Sequence, residues 1–441
     1  MKPLDFLVTP ITFAIIITLA FLIRKVTTER EAKRYFFPAL LLKMLGALAV
    51  GAIYQFYYGG GDTFTFFTHG ASHIFDAFMQ DFDAGLKLLF SNGEFDPQTY
   101  KYSAKIWTYR DGSSFFVVKI AALLSLISFN TYSSVALWFA FLSFWGLWLM
   151  YLSFRKIYPE LSLQLAIAIF FIPTVFFWGS GILKDTLTLG ATGFLVYAFI
   201  QIFFERKNIV FHALLALVMA YVIFSIKLYI LLSIMPALIV WFFFYRIGRV
   251  RKAALRLLIA PFFILAGLAI AFLIIKEVGE TSERYKLDNL AKTAQVTAYD
   301  IRYWTGKDAG SGYSLGELDG TYWSMIKLAP AAVNVALFRP YLWEVNNPLM
   351  LLSALEALAI LLLTLYIFWR NKFIYILLSL RSPIILFCLI FAITFAFSVG
   401  ISSYNFGTLS RYRIVMMPFF VIALFLIDFH AQTKYNEAQL S

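Results

Sequence analysis

FLVTPITFAIIITLAFLI (residues 6–23) and FFILAGLAIAFLII (residues 262–275) decide the fold, because neither run holds a single charged side chain. A helix needs about 20 consecutive apolar residues to cross the hydrocarbon core of a bilayer. It is also one of the few structures that satisfies its own backbone hydrogen bonds there. Working outward, the same character fills the chain. Of 441 residues, 61% are hydrophobic and 14% charged, against about 45–50% and 25% in a soluble domain. Mean hydropathy is +0.77. These figures exclude a soluble enzyme, a nucleic-acid reader and a disordered scaffold. They describe an all-α polytopic membrane protein, taken as a single membrane domain over 1–441.

Eleven spans are expected, at 6–23, 37–57, 131–153, 163–180, 184–204, 209–226, 228–246, 253–276, 348–369, 383–400 and 411–428. The run at 115–129 is short for a crossing and contains Lys119. Charge placement bears on it. Arg24, Lys25, Arg30, Lys33 and Arg34 follow the first span, Arg155 and Lys156 the third, and Arg206 and Lys207 the fifth. Arg246, Arg249, Arg251, Lys252 and Arg256 follow the seventh, and Arg370, Lys372 and Arg381 the ninth. Every cluster falls on one face only if 115–129 is interfacial. Excess Lys and Arg mark the cytoplasmic face, which explains the net charge of +12 and puts the amino terminus outside and the carboxy terminus inside. The first apolar run lacks a small-residue cleavage site and reads as a retained span. The lone Cys388 lies in an apolar run and has no partner for an internal disulfide.

Two long extracytoplasmic loops remain, at 58–130 and 277–347, carrying short interfacial helices. Loops of that length are uncommon unless functional. Asp62 closes GGGD at the exit of the second span. Three glycines let the backbone bend and approach a ligand, and a half-desolvated carboxylate is a candidate general base. The alternative is an Asp N-capping the next helix. His69, His73 and Asp76 follow at i, i+4 and i+7, a spacing that suits a divalent metal ion and equally the polar face of a surface helix.

WGSGILKDTLTL (178–189) sets Lys184 and Asp185 at the start of a span after a Gly-Ser-Gly turn. Lys227, Arg411 and Arg413 fall at the same depth by span count. Cations at helix starts suit a lipid phosphate, and they also suit anchoring to anionic lipid. Arg339 and Glu344 in FRPYLWEVNNP either pair with each other or face a substrate. Arg302, Lys307, Asp308, Glu317 and Asp319 share the second loop with Trp304 and Trp323. That mixture suits carbohydrate, although aromatic belts are the default at an interface. Lys43, inside the second span, is functional or paired. A Walker A motif is absent from the sequence, and few ionisable groups lie deep in the spans.

GGGD at a first large external loop, the turn GSGILKDTL and the segment RYRIVMMPF (411–419) together resemble the integral-membrane glycosyltransferases of the C-type fold. That class includes protein mannosyltransferases and lipid A aminoarabinose transferases, and its architecture is shared by O-antigen polymerases and ligases. The motifs cover about thirty residues. One span more than usual precedes the acidic loop, and the paired acidic motif is reduced to Asp62. LFRPYLWEVNNPLMLLSALE (337–356) resembles a stretch of membrane proteins from bacterial exopolysaccharide loci. The resemblance implies a sugar donor on a polyprenyl phosphate or diphosphate, a saccharide or lipid-linked acceptor, Asp62 as base, and Lys184 with Arg411 or Arg413 near the phosphate. It places the chain in a bacterial inner membrane, with membrane lipids and no nucleic acid as partners. A flippase or exporter subunit for lipid-linked saccharide, or a scaffold subunit, stays open on the residues alone.

Overall fold

In a computed structural model of the chain, residues 3–248, 265, 267, 269, 272, 273, 276, 277, 279, 280, 286–305 and 310–440 are described. Among them the protein is helical, with one isolated antiparallel bridge between Gly312 and Asn405. The helices are α1 (Pro3–Thr27), α2 (Lys33–Ala52, continued as a π-helix over Ile53–Tyr57), α3 (Asp62–Phe66), α4 (Ser72–Gln80), α5 (Phe82–Phe90), α6 (Tyr100–Ser103) and α7 (Gly112–Ile127). There follow α8 (Tyr132–Ile157), α9 (Ser162–Phe170), α10 (Pro173–Trp178), α11 (Lys184–Ile200), α12 (Ile209–Gly248), α13 (Leu290–Thr305) and α14 (Tyr322–Phe338). The last are α15 (Pro348–Arg370), α16 (Phe373–Ser379), α17 (Pro383–Ser403), α18 (Phe406–Tyr412) and α19 (Met417–Leu440).

Among the described residues seven helices are long and apolar enough to cross a membrane, or eight if the bent pair 406–415 and 417–436 is one span. The chain is therefore a multi-pass membrane protein. The difference from eleven has local causes. The expected spans 209–226 and 228–246 both fall within α12, which counts once among the seven although it joins two helices across a kink at Lys227 (φ −145°, ψ 79°), the residue between the two expected spans. The expected span 163–180 is split into α9 and α10 before Pro173, since proline disfavours helix in the residue ahead of it. The expected span 253–276 lies largely outside the described residues.

The chain forms two compact units, residues 1–162 with 175–228 and residues 163–174 with 229–441. In the first, α8 runs beside α1, α2 and α11. The helix directions follow from charges at the helix ends. Asp5, buried at the start of α1, accepts a hydrogen bond from the Ser133 backbone N–H at the start of α8 (3.0 Å). At the far end, Arg155 bridges Glu29 (2.6 Å) and Glu31 (2.8 Å), and Lys156 pairs with Glu205. So α1 and α8 run parallel, and the basic clusters 24–34, 155–156 and 206–207 share one end. Helices α8 and α11 approach to backbone contact: a Cβ on Gly146 would sit 1.9 Å from the Gly190 carbonyl oxygen.

The segment 58–131 packs into an apolar core that it shares with Ala47 of α2, Tyr132 and Phe139 of α8 and Leu187 of α11. Phe66, Phe67, Ile74, Tyr109, Phe115, Val118 and Ala122 are buried together. Helix α7 begins beside Lys184, the first residue of α11. It ends beside Asn130, which accepts a hydrogen bond from Ser72 just before α8 begins. Both ends of α7 thus lie at the end of the unit where α1 and α8 start. At 16 residues it is about 24 Å long, short of the roughly 30 Å hydrocarbon core. It is one of the shorter apolar helices that fall outside the seven candidate spans.

In the second unit, α14 packs against α17 so closely that a Cβ on Gly400 would lie 2.0 Å from the Ala332 carbonyl oxygen. The stretch 311–313 docks on the end of α17. Tyr313 Oη donates to the Gly400 carbonyl (2.8 Å), and Asn405 Nδ2 donates to Ser311 Oγ (3.0 Å). At the other end, Arg370 pairs with Asp428 (3.2 Å). The second long loop therefore contains ordered helices, α13 and α14.

Candidate functional site

Asp62 is exposed and stands as the first residue of α3, after Gly61 in the cap position. It is not itself the N-cap. The three preceding glycines all adopt positive φ: 68° at Gly59, 144° at Gly60 and 125° at Gly61. A side chain at any of them would be strained, and a Cβ on Gly61 would also meet the Tyr54 ring at 2.6 Å. The run GGGD is thus a sharp reversal packed on the end of α2. The same end of α2 holds the turn before α11. The Tyr54 ring lies 6.3 Å from that of Trp178, and a Cβ on Gly181 would meet Val50 at 2.6 Å.

Three further sequence candidates meet at this end of the first unit. Lys184 begins α11 and is 22% exposed. It donates to Ser113 Oγ (2.8 Å) and reaches Asp111 Oδ2 at 3.5 Å. Asp111 N-caps α7 by accepting from the Ser113 N–H (3.2 Å). Burial pushes the Asp111 carboxyl up, but hydrogen bonds from Ser114 and Ser113 and the charge of Lys184 outweigh it and hold it below its ordinary value. Its contribution to stability is therefore complete above about pH 3.9, the unfolded value, and is lost as pH falls through the lower folded value. Asp111→Asn is expected to abolish that loss, read as melting temperatures that no longer decline between pH 4 and pH 3 on this account.

Lys227, at the break in α12, donates to Asp185 Oδ1 at 2.5 Å, and both side chains are buried. The two ion-pair each other beneath the surface instead of presenting free charge. Lys43 is fully buried and donates to Ser143 Oγ (3.0 Å) and to the Gly179 carbonyl. These are the partners that the sequence left unnamed.

The second unit gathers Arg339, Glu344 and Arg413 around a residue missed in the sequence. Glu356, buried within α15, accepts from Arg413 Nη2 (3.1 Å), Thr174 N–H (2.6 Å) and Thr174 Oγ1 (2.7 Å). Arg413 is fully buried and also donates to the Arg339 carbonyl (2.9 Å). Its charge is thus neutralised internally, contrary to a role facing a lipid phosphate. Arg339 and Glu344 pair with each other, and Glu344 also accepts from the Tyr341 N–H (2.8 Å). Burial raises the Glu344 carboxyl, but Arg339 and that N–H bring it below its usual range. The Arg339 guanidinium lies over the rings of Phe406 (5.4 Å), Tyr313 and Tyr341 (5.8 Å each). Arg411, half-buried, closes α18. An intramembrane carboxylate is a functional or structural marker by default, so Glu356 in PLMLLSALEALAILLL was the available signal.

The expected metal ligands lie on a distorted stretch of helix. The chain forms a π-helical turn over Phe67–Ala71 with His69 off helical geometry (φ −95°, ψ 15°), which breaks the i, i+4 alignment. His69 instead stacks on Trp107, with ring centroids 3.7 Å apart. Burial lowers the proton affinity of His73. Among the described residues no three His, Cys, Asp or Glu side chains gather as metal ligands. Lys307 and Asp308 lie outside the described residues, as do the side chains of Arg302 and Trp304. Asp319 is exposed, and hydrogen bonds from Ser324 and Thr321 bring its carboxyl down to about 2.

The chain matches no family model, and comparison with curated proteins and with solved structures yields no match.

Proposed function

We propose that the protein is an integral-membrane glycosyltransferase. It moves a sugar from a polyprenyl phosphate or diphosphate to an acceptor hydroxyl at the end of the first unit that carries the 58–131 cap. The observation that carries this reading is the placement of Lys184. A partly exposed ammonium stands at the first residue of α11, beside the start of α7 and the exit of α2 that presents Asp62. Asp62 takes the acceptor proton as the acceptor oxygen bonds to the anomeric carbon. The bond from that carbon to the phosphate oxygen breaks, and its electron pair leaves on the phosphate. Lys184 stabilises the developing charge, as a preorganised cation does in a site of low dielectric. The cap end faces away from the basic clusters, which supports placing it on the extracytoplasmic side of a bacterial inner membrane.

The roles of the other cations narrow. Asp185–Lys227 and Glu356–Arg413 are buried pairs that hold helix ends in place, while Lys184 in the first unit and Arg411 in the second keep partly exposed side chains. Binding of a fluorescent polyprenyl phosphate to the protein in nanodiscs tests the phosphate role. Lys184→Gln is expected to weaken it by about 10–100-fold, the range of a charge-assisted hydrogen bond worth about 1.5–3 kcal/mol. Equal binding by wild type and variant would remove Lys184 from the site.

A further inference from the structure

We propose that Lys43, which is far from the surface, is the positioning residue of the turn that carries Lys184 and Asp185. Residues 179–183 link the end of α10 to α11 without helical hydrogen bonding of their own, and the carbonyls of such a turn need donors. The Gly181 carbonyl is served locally, by Thr186 Oγ1 (2.7 Å) and the Leu183 N–H (2.8 Å), while Ser180 Oγ donates back to the Phe176 carbonyl in α10. The Gly179 carbonyl is served from another helix, since Lys43 Nζ, midway along α2, donates to it.

The same ammonium donates to Ser143 Oγ on α8 (3.0 Å), so one side chain ties the turn to α2 and to α8 together. Among the described residues no carboxylate pairs with Lys43. An ammonium buried without a counter-ion is costly, and here carbonyl and hydroxyl dipoles offset part of that cost. The packing around the amine is fitted to it. A Cβ on Gly179 would lie 2.9 Å from Nζ, and a Cβ on Gly46 would lie 2.5 Å from the Phe176 carbonyl oxygen. Both glycines let α2 and the turn approach closely enough for the ammonium to reach. Fixing Gly179 fixes where α11 begins, five residues before Lys184.

The inference rests on the proposed function only for the use made of Lys184, and its test needs no turnover. Hydrogen exchange is measured on the full-length protein in nanodiscs. Lys43→Met keeps the length and removes the donor. Exchange of the amides of residues 180–186 is expected to rise at least tenfold, with those of α8 residues 145–155 within twofold of wild type. Ser143→Ala is the second variant, leaving the Gly179 contact in place, and a two- to fivefold rise confined to 180–186 is expected. Unchanged exchange at 180–186 in a folded Lys43→Met, or in Ser143→Ala if the first variant does not fold, overturns the proposal. So does an equal rise throughout α8. A loosened turn in a protein that transfers no sugar would uphold the role of Lys43 and sink the glycosyltransferase reading instead.

Discussion

Glu356→Gln is expected to cost the protein about 3–5 kcal/mol, the range for removing one partner of a buried ion pair. The substitution keeps the side-chain shape and deletes only charge. It leaves Arg413, which is fully buried, without a counter-ion and weakens the acceptor for Thr174 N–H and Oγ1. The effect spreads because the same guanidinium holds the Arg339 carbonyl, so the start of the 339–347 segment loses its anchor along with α18. Thermal or denaturant unfolding in detergent reads the loss. Glu205→Gln is the matched control. Its partner Lys156 is 54% exposed, and an exposed pair contributes about 0–1 kcal/mol. Replacing both members by Glu356→Gln with Arg413→Met is expected to recover part of the single-variant loss, since it removes the uncompensated charge. Comparable stability for Glu356→Gln and wild type would show that the pair does not hold the second unit together.

Gly146→Val is expected to be the other severe lesion. A Cβ at Gly146 falls 1.9 Å from the Gly190 carbonyl oxygen, and one at Gly193 falls 2.5 Å from the Gly146 carbonyl carbon and oxygen. The obstacle is backbone, so no rotamer change relieves it and α8 must move off α11. Overpacking of a close-packed interior costs about 1–3 kcal/mol, and helix separation places this site at or beyond the upper end. Since α11 carries Lys184 at its first residue, Gly146→Val should also lower polyprenyl phosphate binding, an effect that loss of stability elsewhere would not produce in the folded fraction. Gly112→Val is the control, because a Cβ there meets nothing within 4 Å. Expression and monodispersity equal to wild type for Gly146→Val would contradict the close approach of α8 and α11.

How much was legible in the sequence depends on whether the signal was local. Apolar runs and basic clusters identified the membrane class, and Asp5–Ser133 and Arg155–Glu29 bring the starts and the ends of α1 and α8 together in the first unit. The runs divided 209–226 from 228–246 at residue 227, and the backbone kinks there, at Lys227. They could not show that 58–131 packs into the core of the first unit, since its buried residues come from five short helices that meet one another and the long helices only after folding. Among site residues, Arg339 and Glu344 were legible as a pair because five positions separate them. Asp185 with Lys227 and Glu356 with Arg413 join positions 42 and 57 apart, which no spacing rule connects. Lys43 announced itself by being charged inside a span, yet its acceptor is a backbone carbonyl, which has no signature in a sequence. At His69 the backbone takes a π-helical turn, which the regular i, i+4 spacing to His73 did not reveal.

The most direct test of the central claim is sugar transfer by purified protein in proteoliposomes, using polyprenyl phosphate and diphosphate donors labelled in the sugar. Wild type should release polyprenyl phosphate or diphosphate in step with labelled acceptor. Asp62→Asn, with its fold and donor binding intact, should turn over about 10²–10⁴-fold more slowly, the contribution of a positioned general base. Undiminished turnover by Asp62→Asn, or movement of intact donor across the bilayer without cleavage by the wild type, would contradict the account.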